Sequence, residues 1–162
     1  MNTVIIPEAQ QILTPVPDIP VVCFVCTGNT CRSPMAAAVY NYLAEKNKLD
    51  RRAISAGLFP DGSPISENAV RALEDAGIEP VAWADYHEHI SGGISDELID
   101  GCSQIVGMTG AHTMRLISMF PHHIVKLGAL PREISDPYGG DLSEYKRCLE
   151  EITAAIREGF GL

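Results

Sequence analysis

The stretch Val21-Val22-Cys23-Phe24-Val25-Cys26-Thr27-Gly28-Asn29-Thr30-Cys31-Arg32-Ser33-Pro34 decides how this chain is read. Its first five residues form a short apolar, β-branched run, the pattern of a buried strand. The residues from Cys26 to Ser33 are small and polar around one glycine. Pro34 then opens an apolar-periodic stretch, and proline is well suited to the first turn of a helix. A strand, a tight polar loop and a helix start together make an anion site. The loop presents unpaired backbone N–H groups, and the helix dipole adds positive potential. Thr27, Gly28, Asn29, Thr30, Cys31, Arg32 and Ser33 are therefore expected to form a concave nest for a phosphate or sulfate ion.

Two side chains give this nest a chemistry. Arg32 carries a planar fork that matches two phosphate oxygens. Cys26 stands at the base, where the N–H groups, the dipole and Arg32 all favour its thiolate. A thiolate beneath a phosphoryl group is set for in-line attack and a covalent phosphocysteine. A cysteine after a strand is more often core than nucleophile, but here the whole loop surrounds it. The chemistry calls for no cofactor and no metal.

The 162 residues, 46% of them hydrophobic, fit one globular domain. No apolar run approaches membrane-spanning length. Residues 1–20 carry no basic cluster and no long apolar core, and Pro7, Pro15, Pro17 and Pro20 interrupt them. They do not read as a signal peptide, so a cytoplasmic location is expected. The net charge of −9 argues against nucleic acid or an anionic membrane as partner. A phosphate substrate is reconciled with that charge locally, because the nest acts at contact distance and distant charge is screened. Five scattered cysteines fit free thiols better than a disulfide framework.

Short β-branched runs alternate with amphipathic stretches. Strands are expected at 21–25, 52–55, 104–108 and 124–127. Helices are expected at 34–46, 66–76, 111–120 and 142–158, with one or two helical turns at 96–100. Met35, Val39, Tyr42 and Leu43 are the expected buried face of the first helix. Val70 and Leu73 point inward from the second, and Leu142, Tyr145, Leu149, Ile152 and Ile156 from the last. Ser66 is the expected N-cap of the second helix and Gly77 its terminator. Residues 85–93 read as an irregular loop. This alternation predicts an α/β fold with a doubly wound parallel sheet. Ligands bind such sheets beyond the carboxyl ends of the strands, which is where Cys26 falls.

The string Cys-x-Gly-Asn-x-Cys-Arg-Ser-Pro from Cys26 to Pro34 resembles the signature of the low-molecular-weight protein tyrosine phosphatases almost letter for letter. The resemblance implies a three-layer, four-stranded parallel sheet in flavodoxin-like order over residues 21–162, with 1–20 as an N-terminal extension. It implies a hydrolase that acts on phosphorylated proteins through a phosphocysteine. A leaving group that departs poorly needs a proton, so a general acid must face the loop. In the family an Asp-Pro-aromatic motif before the last helix supplies it, which here is Asp136-Pro137-Tyr138. Pro137 holds Asp136 extended, and the freed carboxylate would then activate water. By the same resemblance Ser33 assists the thiolate, and Asn29 and His89 support the loop, with His87 as the other possible match. Met108-Thr109 and His112 match a further family pattern read as structural. Cys31 is expected to protect Cys26 through a reversible disulfide. Cys23, Cys102 and Cys148 read as core. Tyr138 and Thr30 are expected to wall the pocket, with Tyr86 and Trp83 as further wall candidates.

Thr30 bears on the substrate. Tyrosine-specific relatives carry a bulkier aliphatic residue there, and bacterial relatives that prefer phosphoarginine carry threonine. A small polar wall suits a guanidinium, which an alkyl surface would desolvate. Phosphotyrosine and phosphoarginine both stay open, with a slight lean to phosphoarginine. Thiol-dependent arsenate reductases share the loop but need further cysteines in a mobile segment, and only Cys102 lies mid-chain. An inactive anion-binding module is the remaining alternative, against which Cys26, Arg32 and Asp136 are all present.

Overall fold

Strand β1 (Val21–Cys26) is central, and the fold is arranged around it. The computed structural model describes residues 19–162. The expected N-terminal extension falls, except for its last two residues, outside the described residues. β1 pairs in parallel with β2 (Arg52–Gly57) on one side and β3 (Gln104–Gly107) on the other. β4 (Leu127–Ala129) completes the parallel order β2-β1-β3-β4. This is the expected flavodoxin-like winding, in which β1 and β3 flank the point where the chain reverses its direction of travel across the sheet.

Alternation along β1 assigns each residue to a layer. Val22, Phe24 and Cys26 join the core under α1 (Arg32–Lys46), α2 (Glu67–Asp75) and α5 (Leu142–Phe160). Cys23 and Val25 face the opposite layer, with Ile99 of α3 (Asp96–Asp100) and Leu116 of α4 (Gly110–Met119). A strand covered on both faces must be apolar throughout, which explains its unbroken hydrophobic run. Phe24, Tyr40 and Phe160 meet edge to face at centroid distances of 5.2 to 6.0 Å and lock the sheet to α1 and α5.

Three expectations need correction. Residues 124–126 belong to a 3₁₀ helix, Pro121–Lys126, and β4 begins only at Leu127. Ile124 and Val125 are exposed, so their β-branched shape reflects no sheet position. In α1 it is Tyr40 rather than Tyr42 that is buried, because Tyr42 lies at the edge of the core with the Lys46 ammonium over its ring. Ser66 stands at the N-cap of α2 without a capping side-chain bond. Among the described residues no helix is long and apolar enough to cross a membrane.

Candidate active site

The loop between Cys26 and Arg32 is held from outside by its carbonyls. The Cys26 and Thr27 carbonyls accept from the backbone N–H groups of Leu58 and Phe59 at 3.0 and 2.9 Å. The Thr30 carbonyl accepts from Ser66 N–H at 2.9 Å, and that of Cys31 from Met35 N–H at 3.2 Å. His89 Nε2 lies 2.8 Å from the Asn29 carbonyl, and since a carbonyl only accepts, Nε2 carries the proton. Carbonyls tied outward leave the loop amides free of those partners, and that of Asn29 turns inward to Cys26 Sγ at 3.3 Å, as in a nest.

Asn29 is the keystone. Its φ of 58° is left-handed, a conformation that asparagine tolerates better than most residues. Its side chain is fully buried and donates to Ser33 Oγ at 2.7 Å and Ser55 Oγ at 3.0 Å. Its Oδ1 accepts from Gly92 N–H at 3.0 Å. The loop after β1 is thus bonded to β2 and to the segment before α3. Gly57 is part of the same fit. A Cβ there would lie 2.9 Å from Asn29 Cβ and 2.9 Å from the Thr27 carbonyl.

Cys26 Sγ is buried at the base of the loop. It receives Asn29 N–H at 3.3 Å and lies 2.9 Å from Ser33 Oγ. Ser33 Oγ also accepts from Asn29 Nδ2 at 2.7 Å and donates to the Ala56 carbonyl at 3.5 Å, so it ties the base of the loop to both Asn29 and β2. Ser33 lies in the first turn of α1, and Cys31 occupies the N-cap position. Cys31 Sγ is buried 3.3 Å from the Tyr145 hydroxyl. Burial and that thiol contact push the Tyr145 phenol up to about 12.

Arg32 is buried and links two segments. Its Nη1 donates to the Ile134 carbonyl at 3.1 Å, and Nη2 lies 3.5 Å from Asp136 Oδ2. Asp136 is half-exposed, and its Oδ1 accepts from Tyr138 N–H at 3.1 Å, the turn that Asp-Pro predicts. Tyr138 stands out in solvent and Thr30 is half-buried. Cys26, Arg32, Ser33, Asn29, His89 and Asp136 are therefore brought together. His87 is not, because it pairs with Asp85 at 2.6 Å and Glu74 at 3.2 Å. Trp83 lies over Arg52 at the start of β2, and the Tyr86 hydroxyl turns inward to the Ile78 carbonyl. Neither walls the loop.

His112 is the residue whose place sequence reasoning underrated. Its Nε2 lies 3.0 Å from Thr27 Oγ1 and its Nδ1 2.9 Å from Thr109 Oγ1, so it bridges the crevice between the ends of β1 and β3. Burial, then the Arg32 charge, hold its pKa down at about 4, and it is neutral near pH 7. Burial also lowers the pKa of His89. Ser55, Gly57 and Gly92 were invisible in advance, because a small residue at a strand end or in a loop carries no spacing signal.

Residues 21–160 match the family model of the low molecular weight phosphotyrosine protein phosphatases. A protein-arginine-phosphatase of Bacillus subtilis is 32% identical over 142 residues, 83% of this chain and 91% of that protein. A protein-arginine-phosphatase of Geobacillus stearothermophilus is 35% identical over 141 residues, 82% of this chain and 88% of that protein. The crystal structure of a low molecular weight protein tyrosine phosphatase from T. tengcongensis superposes with a TM-score of 0.79 at 32% identity, covering 88% of this chain and 98% of that one. Proteins named arsenate reductase match at 29 and 30% identity.

Proposed function

This chain belongs to the low molecular weight phosphotyrosine protein phosphatase family, and we propose that it dephosphorylates protein phosphoarginine, with protein phosphotyrosine as the competing substrate. The Cys26 thiolate attacks phosphorus. An S–P bond forms as the P–N or P–O bond to the protein breaks, and Asp136 gives its proton to the departing guanidine or phenolate. The Asp136 carboxylate then takes a proton from water as that water attacks phosphorus. The S–P bond breaks, and phosphate and thiolate are released. The Arg32 fork and the inward amides hold the three equatorial oxygens, where charge spreads in the transition state. The observation that carries this reading is the buried Cys26 Sγ at the base of the loop, receiving Asn29 N–H at 3.3 Å with Ser33 Oγ 2.9 Å away.

The lean to phosphoarginine rests on Thr30 and on the relatives named as arginine phosphatases. Five buried free thiols fit a reducing compartment, and the cytoplasm is the proposed location. An arsenate reductase needs, besides the loop thiols, further cysteines in a mobile segment that can reach Cys26. Cys102 instead meets Cys23 in the core on the other face of the sheet.

Phosphoarginine and phosphotyrosine peptides, p-nitrophenyl phosphate and arsenate, each tested on the purified chain, separate these readings. The peptides are turned over, and mass spectrometry of a quenched reaction finds phosphate on Cys26 and not on Cys31. Cys26→Ser abolishes turnover and keeps phosphate binding. Turnover by that variant, or thiol-dependent arsenate reduction without phosphatase activity, overturns the proposal.

A further inference from the structure

On the opposite layer from α1 and α5, three side chains of two elements converge on one point. Asp96 is the first residue of α3, and His122 and His123 are consecutive in the 3₁₀ helix Pro121–Lys126. Asp96 Oδ1 lies 2.7 Å from His122 Nε2 and 3.0 Å from His123 Nε2. The three atoms lie within 4.8 Å of one another. Asp100 Oδ1 stands 3.9 Å from His123 Nε2 as a further oxygen. We propose that Asp96, His122 and His123 form a binding site for a divalent transition-metal ion of the zinc class, remote from the phosphate loop.

The donor set decides the class. Two imidazole nitrogens and a carboxylate suit zinc, cobalt or nickel, whereas calcium and magnesium take oxygen ligands. A four-coordinate ion with bonds of about 2.0–2.1 Å sets its ligands about 3.3 Å apart. The two nitrogen–oxygen separations need to open by about 0.3–0.6 Å to reach that value, and the two nitrogens lie within 4.8 Å of each other. His122 and His123 have ring centroids 4.2 Å apart, which keeps the two imidazoles side by side at one point. Both Nε2 atoms donate to Asp96 Oδ1 in this structure, so an entering ion would displace those two protons and take the Nε2 lone pairs and the carboxylate in their place.

The convergence does not depend on these groups alone. Lys126 Nζ donates to the Ile99 carbonyl at 3.0 Å and the Asp100 carbonyl at 3.3 Å, which pins the 3₁₀ helix against α3. Pro121 fixes the start of that helix. His123 is largely buried, while His122 and Asp96 are more than half exposed. An ion could therefore enter from solvent and keep a water as its fourth ligand. The ion would clamp α3 to the segment leading into β4.

The test uses the full chain carrying Cys26→Ser, so that the loop thiol takes no zinc. Titration calorimetry with zinc alone is expected to find one strong site per chain, and zinc is expected to raise the unfolding temperature. Asp96→Asn, His122→Ala and His123→Ala should each weaken binding by more than about 100-fold, the upper end of what an outer-sphere partner is worth. Cobalt should give the visible bands of a low-coordinate ion, lost in His123→Ala. In the otherwise unaltered chain, His122→Ala should leave phosphatase activity unchanged, which verifies its fold. A chain that takes up no zinc overturns the proposal. So does a His122→Ala/His123→Ala double variant that binds zinc as tightly as its parent.

Discussion

The Arg32 guanidinium lies 3.5 Å from the Asp136 carboxylate, so the fork proposed to hold phosphate also positions the proposed acid. Arg32 is buried and Asp136 half-exposed, so the pair adds little stability. Its importance is geometric: the acid is placed beside the group that the nest would hold. Asp136→Asn should lower kcat by about 10²–10⁴ on substrates with poor leaving groups, the usual worth of general acid catalysis. On an aryl phosphate with an acidic phenol the loss should be much smaller. Steady-state kinetics on both substrates checks this, and equal losses would make Asp136 purely structural.

Gly57→Ala tests the fit of the loop against β2. The new Cβ would meet Asn29 Cβ and the Thr27 carbonyl, both at 2.9 Å. Backbone and a buried keystone residue cannot easily give way, and overpacking of this kind costs about 1–3 kcal/mol. Activity should fall by about tenfold or more, since each 1.4 kcal/mol of lost transition-state stabilisation is about tenfold. Full activity with a lowered melting temperature would show that the loop tolerates displacement.

Thr30→Ile should shift substrate choice. The change replaces a hydroxyl by apolar surface beside the place proposed for the group attached to phosphorus. A flat phenol ring gains contact there and a guanidinium loses a polar neighbour. A pocket change of this size is worth about 10–200-fold in discrimination. The ratio of kcat/KM for phosphotyrosine and phosphoarginine peptides, wild type against variant, reads it directly, and an unmoved ratio removes Thr30 from specificity.

Acid should loosen the fold through His112. Its pKa is about 4 in the folded chain, below the usual 6.5. Between those values the unfolded chain binds the extra proton, so stability rises with pH across that window. The contribution is complete above pH 6.5 and is lost as pH falls to about 4. With allowance for solvent access it is worth about 1–2 kcal/mol. Melting temperatures from pH 7 down to 4 should fall less steeply for His112→Gln than for wild type, and parallel curves would contradict this origin.

Mild peroxide should inactivate the enzyme reversibly through a Cys26–Cys31 disulfide, because two buried thiols share one tight loop. With Cys31→Ser the loss should resist thiol reductants. Full recovery by that variant would leave Cys31 as packing against Tyr145.

The parallel sheet was legible because β1 is apolar throughout and Pro34 and Gly77 bound the helices around it. The loop chemistry was legible because Cys26, Arg32 and Ser33 lie within eight residues. The strand at 124–127 was misplaced for a physical reason: Ile124 and Val125 have strand-like shapes but sit exposed in a 3₁₀ turn opened by Pro121. The supports of Asn29 were illegible for another. Ser55 and Gly92 act through one hydroxyl and one backbone N–H, and neither group leaves a pattern in the sequence. The two histidines that meet Asp96 are 26 and 27 positions away from it, so only the fold reveals their convergence.

The outward anchoring of the loop carbonyls has a kinetic corollary. A cradle tied to β2 and α2 by its carbonyls would spend little binding energy on being assembled, so it would discriminate little between an oxyanion tethered to a protein and a free one. Inorganic phosphate leaves a site as well shaped for it as for the group that brought it in. Inorganic phosphate is therefore expected to inhibit turnover competitively, read as a rise in KM with kcat unchanged, so that the phosphate level of the surroundings would act as a brake.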